Sequence, residues 1–219
     1  MIAKHKINID EVATRIVEAF PKLDAFEQRL ALELYRLLAI CEPVPRELLA
    51  QRIQVPVGIV SGILDTWPGV YSNHDGRIVG FWGLALPTAY TSPHRLIIEG
   101  QRLSAWCAWD TLFLPHLLSK MAEVESASPI EGNTVTLKMT PEGVEHLDPN
   151  GACMSFLPPD ATAFQKDVIT SFCHFVHFFP SREAGQRWIG DHKGTFLLSI
   201  DEGVRVARRK NELQFAAKF

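Results

Sequence analysis

The sequence predicts an α+β fold, with a winged-helix-like helical part first and a mixed part with antiparallel strands after it. Three observations support this prediction. Residues 1 to about 70 place apolar side chains three and four positions apart, which is typical of helices with one buried face. Asp75 and Gly76 stand between two β-rich runs, and this pair favours a hairpin turn. Short β-rich runs and helical stretches then follow in mixed order, as in an α+β domain.

Four helices are predicted before the hairpin. Asn8 or Asp10 can cap the first helix, whose apolar stripe reaches Phe20 and which Pro21 ends. The second helix has an apolar face over residues 26–38. The other two follow prolines and are expected at ELLAQRI and VGIVSGILDTW.

Several short helices closed by a hairpin indicate a winged-helix-like domain over residues 1–85. Residues 86–219 are predicted to form a mixed α+β domain. In it, Ser181 carries a helix-capping signature, and the charged C-terminal stretch favours a further helix. Strands are predicted at HRLIIEG, AEVESAS, NTVTLKMT, CMSFLP, the second half of DVITSFCHFVHFF, and TFLLSI, with AEVESAS and NTVTLKMT paired.

Composition and charge argue against several classes of protein. The formal net charge is −3 and no basic stripe is visible, so no nucleic-acid partner is expected. A transcriptional regulator, which a winged helix would otherwise suggest, is disfavoured for the same reason. No apolar run is long enough to span a membrane, and the N-terminus lacks the apolar core of a secretory signal. A cytoplasmic location is therefore expected.

The four cysteines are far apart in the chain and form no CxxC pair. In a cytoplasmic protein they are expected to be free thiols. Cys41 and Cys153 are predicted to be ordinary core residues, since free cysteine is often buried. Cys107 and Cys173 have neighbours that could carry chemistry.

Cys107 lies in the run Ser-Ala-Trp-Cys-Ala-Trp-Asp. If Ser104 caps a helix that is ended or kinked at Pro115, Cys107 falls in the first turn, where the helix dipole stabilises a thiolate. Asp110 then shares its helix face, and aromatic neighbours would raise the pKa of this carboxyl. The spacing alone favours the alternative of a buried structural cysteine beside a solvated aspartate.

Cys173 lies in the apolar run Ser-Phe-Cys-His-Phe-Val-His-Phe-Phe. On a strand, Cys173, Phe175 and His177 would face the same way and could point a thiol and an imidazole into one pocket. The alternative is a core strand with hydrogen-bonded histidines, and for His174 and His177 taken singly this is the favoured interpretation.

Two of these segments resemble the bacterial organomercurial lyases, also called alkylmercury lyases, of mercury-resistance systems. The resemblance covers about residues 70–200 and is densest at RLSAWCAWDTLFLP and SFCHFVHFF. It implies that Cys107 and Cys173 bind mercury and that Asp110, placed with them in the metal site, handles the proton. Family members often carry a further cysteine in the loop after the catalytic helix, whereas VESASPIEG has none here.

The activity that the resemblance implies is protonolysis of R–Hg⁺ to R–H and Hg(II). The expected partners are organomercurial small molecules, cellular thiols and a mercuric reductase that accepts the metal. No cofactor is expected, and Hg(II) is bound as product. The alternative is a non-catalytic protein that binds a soft or borderline metal, such as copper, zinc or mercury, through the same cysteines, with His177 as a further candidate ligand.

Overall fold

The structure is a computed structural model that describes residues 7–130, 132–216 and 218. The first six residues, on which the expectation of no secretory signal partly rests, lie outside this description. The four helices predicted before the hairpin are confirmed: α1 (Ile9–Ala19), α2 (Ala25–Leu38), α3 (Arg46–Ile53) and α4 (Val57–Leu64).

The predicted helix-end signals have the roles expected of them. Asn8, rather than Asp10, caps α1, because its side chain accepts a hydrogen bond from the backbone N–H of Glu11. Asp24, a cap that was not predicted, begins α2 through a capping box. Pro56 immediately precedes α4, where its missing N–H costs no helical hydrogen bond.

Eight strands of the described residues form one antiparallel sheet. They are β1 (Val70–Ser72), β2 (Ile78–Phe81), β3 (Leu84–Ala85), β4 (His94–Ile98), β5 (Gln101–Ala105), β6 (Ala122–Ala127), β7 (Thr134–Thr140) and β8 (Gly143–Asp148). Their order in the sheet is β1-β2-β3-β5-β4-β6-β7-β8.

Two predictions about this sheet are confirmed, namely the hairpin at Asp75-Gly76 and the pairing of β6 with β7. The winged-helix arrangement and the domain boundary at residue 85 stay predictions. Strand β3 pairs with β5 across that boundary.

A second sheet of three strands and five further helices complete the described fold. The predicted strands at CMSFLP and TFLLSI, the helix capped by Ser181 and the C-terminal helix are all confirmed. The strands are β9 (Cys153–Phe156), β10 (Phe178–Phe179) and β11 (Phe196–Ser199). The helices are α5 (Asp110–Leu118), α6 (Ala161–Lys166), α7 (Val168–Ser171), α8 (Arg182–Asp191) and α9 (Ile200–Gln214).

The structure corrects the expected start of the helix after β5. Ser104 does not cap a helix, because its backbone belongs to β5 and pairs with Ala85 and Arg95. Helix α5 begins at Asp110, so Cys107 lies in the turn before the helix and not in its first turn. The helix also continues past Pro115 to Leu118.

The strand predicted around Cys173 is also wrong over most of its length. Asp167 accepts hydrogen bonds from the N–H groups of Ile169 and Thr170 and so begins α7. A 3₁₀ turn at Cys173–Phe175 follows, and only Phe178–Phe179 form a strand. The two-residue alternation that grouped Cys173 with Phe175 and His177 therefore does not apply.

Helix α9 covers the start of α5 and fixes its position. The indole N–H of Trp109 donates to the carbonyl of Gly203 at 3.2 Å, and the Asn211 amide donates to the carbonyl of Phe113 at 2.9 Å. The two bonds attach α9 to the residue just before α5 and to a residue about one helical turn further along. Within the described residues, none of the helices combines the length and apolar character needed to cross a bilayer.

Buried His94 makes the stability of the fold depend on pH. Its ring is 1% exposed, its Nδ1 lies 2.6 Å from the Ser126 hydroxyl, and its centroid lies 5.7 Å from that of His177. Burial, followed by the charge of His177, lowers the pKa of His94 from 6.5 to about 3. The folded state thus holds this imidazole neutral, whereas the unfolded chain protonates it below about pH 6.5.

Acidification from pH 7 to pH 5 is therefore expected to cost about 2 kcal/mol of unfolding free energy through His94, the loss growing as pH falls toward the folded pKa. Urea denaturation at the two pH values measures it. A His94→Gln variant is expected to be less stable at pH 7 but to lose about 2 kcal/mol less on acidification. His74→Gln, at an exposed turn, is the control, and an equal pH dependence in wild type and His94→Gln would contradict the assignment.

Candidate active site

Two chain segments that are distant in sequence meet at one buried point. The first runs from the turn after β5 to the first residue of α5 and contributes Cys107 and Asp110. The second is the 3₁₀ turn after α7, which contributes Cys173. The two sulfur atoms and a carboxylate oxygen lie within 4.8 Å of one another. The residues are 0%, 5% and 3% exposed, so the donors are shielded from bulk water.

Backbone hydrogen bonds hold these segments in place. The N–H of Cys107 donates to Asp110 Oδ2 at 2.7 Å, which fixes the carboxyl beside the cysteine. The N–H of Ala108 donates to the carbonyl of Val176 at 3.1 Å, and the N–H of Val176 donates to the carbonyl of Cys173 at 3.1 Å. This chain of bonds links the two cysteine turns directly, so their spacing depends on backbone and not on flexible side chains.

The carboxyl of Asp110 titrates near neutral pH. Burial raises its pKa to about 7, against the lowering effects of the hydrogen bonds from Cys107 and the charge of Lys210. The sequence prediction that burial raises this pKa is confirmed. A carboxyl with such a pKa is a usable proton donor and acceptor at neutral pH.

The two thiols retain their protons more strongly than an exposed cysteine does. Burial raises the pKa of Cys107 well above its usual value, and neighbouring Cys173 and Asp110 raise it further. Burial also raises the pKa of Cys173, although the hydrogen bond from Cys107 opposes this. The expected lowering of the Cys107 pKa by a helix start is therefore wrong, since the residue precedes α5 and desolvation dominates.

An aromatic pocket leads to the carboxyl and one sulfur. Asp110 and Cys173 both line it. Its apolar walls favour an uncharged organic group in contact with the acid. The aromatic rings that line it belong to Phe20, Tyr71, Trp82, Trp106, Trp109, Phe164 and Phe172.

Several residues around this site carry no signal in the sequence. Gly83 lies so close to Asp110 that a Cβ at this position would meet Oδ1 at 2.5 Å. The pKa of half-buried Tyr90 is raised to about 12 by burial and by the charges of Cys173, Cys107 and Asp110. Lys210 is 1% exposed on α9, although its run Ala-Arg-Arg-Lys-Asn-Glu suggests an ordinary solvated helix. No local pattern signals these contacts, because each depends on the packing of distant segments.

Fold and site together define a class: an α+β protein with a buried dithiol and carboxyl site that can hold a soft metal. The family model for alkylmercury lyase matches residues 88–211. The chain is 33% identical over 202 residues to the alkylmercury lyase of Staphylococcus epidermidis, covering 92% of this chain and 90% of that protein. It is 36% identical over 172 residues to the alkylmercury lyase of Pseudomonas putida, covering 78% of each. The chain therefore belongs to the alkylmercury lyase family.

A solved structure supports the fold independently. The crystal structure of the mercury-bound form of MerB2 matches with a TM-score of 0.74, covering 95% of this chain and 100% of that chain. At 18% identity this likeness shows the fold alone. The family, the lyase class and the α+β fold predicted from the sequence are thus confirmed.

Proposed function

We propose that Cys107 and Cys173 bind the mercury of R–Hg⁺ and that Asp110 protonates the carbon, releasing R–H. The observation that carries this assignment is the convergence of two sulfurs and one carboxylate oxygen within 4.8 Å in a buried site. Electrophilic cleavage of this kind needs two thiols and one acid at a single atom, and these side chains meet that requirement.

The first step is ligand exchange at mercury. Mercury(II) is soft and prefers thiolate sulfur to oxygen or nitrogen, so one cysteine replaces the labile ligand of R–Hg⁺ and loses its proton. Binding of the metal thus compensates for the raised pKa values of the buried thiols. The order in which Cys107 and Cys173 bind is left open. Asp110, whose pKa is about 7, can accept a proton from a thiol in this step.

The second step breaks the carbon–mercury bond. The second thiolate adds electron density at mercury, the O–H bond of Asp110 breaks, and its proton forms the new C–H bond with the electron pair of the C–Hg bond. In sum, R–Hg⁺ and two thiols give R–H, Hg(II) held by two thiolates, and one proton. Asp110 is left as a carboxylate, and together with Cys107 and Cys173 it forms the group of candidate ligands for the metal. The aromatic pocket holds the organic group during this step.

Release of the product requires other thiols. Two thiolates hold Hg(II) too tightly for spontaneous dissociation, so an incoming cellular dithiol is proposed to remove it by ligand exchange, with a mercuric reductase as final acceptor. The four cysteines are all free, which supports a reducing, cytoplasmic setting. The reaction as written needs no cofactor.

Detection of benzene in the headspace tests the proposal. Reduced protein is mixed with phenylmercury and excess thiol, and benzene is expected in amounts that exceed the protein many times over. Stable binding of phenylmercury or Hg(II) without benzene would instead support the non-catalytic metal-binding alternative.

A Gly83→Ala variant is expected to lower both stability and turnover. Gly83 has φ +95°, and the added Cβ would lie 2.5 Å from Asp110 Oδ1, whose carboxyl is held by the N–H of Cys107. Backbone strain and displacement together are expected to cost about 2 kcal/mol of unfolding free energy. Turnover is expected to fall about 10²-fold, because a shift of about 1 Å in a reacting group costs that much.

The matched control for this variant is Gly100→Ala. Gly100 also has a positive φ, +79°, but no atom lies within 4 Å of its added Cβ. Only the backbone strain is therefore expected, with turnover retained. Chemical denaturation measures the effect on stability, and initial rates of benzene release measure the effect on turnover. Full turnover in Gly83→Ala would contradict the expectation that the reaction depends on the position of the Asp110 carboxyl.

A further inference from the structure

A second cavity, called the outer groove below, lies beside the aromatic pocket. Its volume is about 630 Å³, which is within the range of sites for small organic molecules. Among the described residues, Tyr71 and Trp106 line both the outer groove and the aromatic pocket. The aromatic pocket, which Asp110 and Cys173 also line, is the smaller of the two cavities. The apolar residues that line the outer groove include Pro43, Val79, Ala85, Ala89 and Ile169.

The rings of Tyr71 and Trp106 form the wall between the two cavities. Their centroids lie 5.4 Å apart with an interplanar angle of 70°, which is an edge-to-face contact. The wall continues into α7, where Val168 lines the pocket and the next residue, Ile169, lines the outer groove. An organic group that is too large for the pocket on this side therefore meets the two rings.

The two rings differ in how firmly the fold holds them. Trp106 is 3% exposed, and its backbone N–H donates to the carbonyl of Gly83 at 3.0 Å. Tyr71 is 42% exposed and lies on β1, the edge strand of the large sheet, where the pairing with β2 is irregular. Tyr71 is thus the part of the wall that can be replaced with little effect on the core.

We propose that Tyr71 is a specificity-determining residue of the lyase reaction, because its ring separates the pocket from the outer groove and so limits the size of the organic group on mercury. This inference rests on the proposed function. The pocket accepts a compact group such as phenyl, whereas a larger fused-ring group overlaps the ring of Tyr71. A small side chain at this position joins the two cavities, and the apolar residues of the outer groove then contact the remainder of the organic group.

A Tyr71→Ala variant tests the wall with two mercurials of different size. The ratio of kcat/KM for 1-naphthylmercury to kcat/KM for phenylmercury is expected to rise at least about tenfold, the scale on which apolar pockets discriminate by size. Release of naphthalene and benzene measures the two values. A merely structural defect lowers both values together, so the ratio reports the wall itself. If circular dichroism shows that Tyr71→Ala does not fold, Tyr71→Val replaces it, since valine favours a strand.

Two further variants serve as controls. Tyr71→Phe keeps the aromatic ring and is expected to keep the wild-type ratio. Ile59→Ala removes another exposed apolar side chain, which is 52% exposed on α4 and lines neither cavity. This variant is expected to leave both kcat/KM values unchanged.

The outcomes distinguish the inference from the function on which it rests. If wild-type protein releases neither benzene nor naphthalene, the proposed function fails. Competition of each mercurial with a small dithiol then decides the role of Tyr71, because the same rise in the ratio is expected for the two binding constants. If wild type is active and the ratio is unchanged in folded Tyr71→Ala, the role of Tyr71 alone is overturned. An equal rise of the ratio in Tyr71→Phe would also overturn it, since the ring is then not what limits size.

Discussion

An Asp110→Asn variant is expected to bind mercury but to release hydrocarbon about 10³-fold more slowly, the scale of effect when a general acid is removed. The amide has the shape of the carboxyl and can still accept the hydrogen bond from the Cys107 N–H, which is 2.7 Å long. It carries no acidic proton, so the C–Hg bond persists after the thiols have captured the metal. Single-turnover release of benzene, measured together with bound mercury per protein, separates the two steps.

Asp160→Asn is the matched control for this variant. Asp160 is exposed and caps α6 by accepting a hydrogen bond from the Ala163 N–H, and asparagine caps a helix about as well as aspartate does. Turnover of this control is expected to equal that of wild type. Benzene release by Asp110→Asn within about tenfold of wild type would contradict the assignment of Asp110 as the proton donor.

A Cys173→Ser variant is expected to lose both turnover and tight binding of Hg(II). The serine oxygen is a hard ligand and a poor one for a soft metal, so only Cys107 remains to hold mercury. With one thiolate, too little electron density reaches the carbon for protonation. Turnover is expected to fall about 10⁴-fold, as when one member of a catalytic unit is removed. Benzene release and competition for Hg(II) with a small dithiol measure the two losses.

Cys41→Ser controls for the loss of a thiol elsewhere in the chain. Cys41 is half-buried, lies outside the site, and its thiol donates to the carbonyl of Arg102 at 3.1 Å. A serine hydroxyl can make the same bond, so this variant is expected to keep wild-type turnover and Hg(II) binding. Near-normal turnover by Cys173→Ser would contradict the two-thiol mechanism, even if the Cys41→Ser control behaves as expected.

Many elements of the fold could be predicted because local signals determine them. Asn8 and Pro21 bound the first helix, and Asp75-Gly76 closes the hairpin. The family was recognisable from two motifs in the right order, and these motifs contain Cys107, Asp110 and Cys173. Such features depend on residues close in the sequence, whose capping and turn geometry acts over a few positions.

The failed predictions concern the same cysteines but have different causes. The local pattern favours a helical start at Ser104, but pairing of Ser104 with Ala85 and Arg95 keeps it in β5. There, partners distant in the sequence override the local preference. The apolar run at Cys173 favours a strand, but a local cap at Asp167 begins the segment as helix.

The sequence by itself thus determined the four N-terminal helices and the hairpin, the family, and which three side chains are the candidates for chemistry. Tertiary structure alone decided that the thiols retain their protons and that Gly83 lies against the carboxyl of Asp110. The physical reason is that burial and the distances between charges set these properties. Both arise only when β5, α5, the Cys173 turn and α9 pack together.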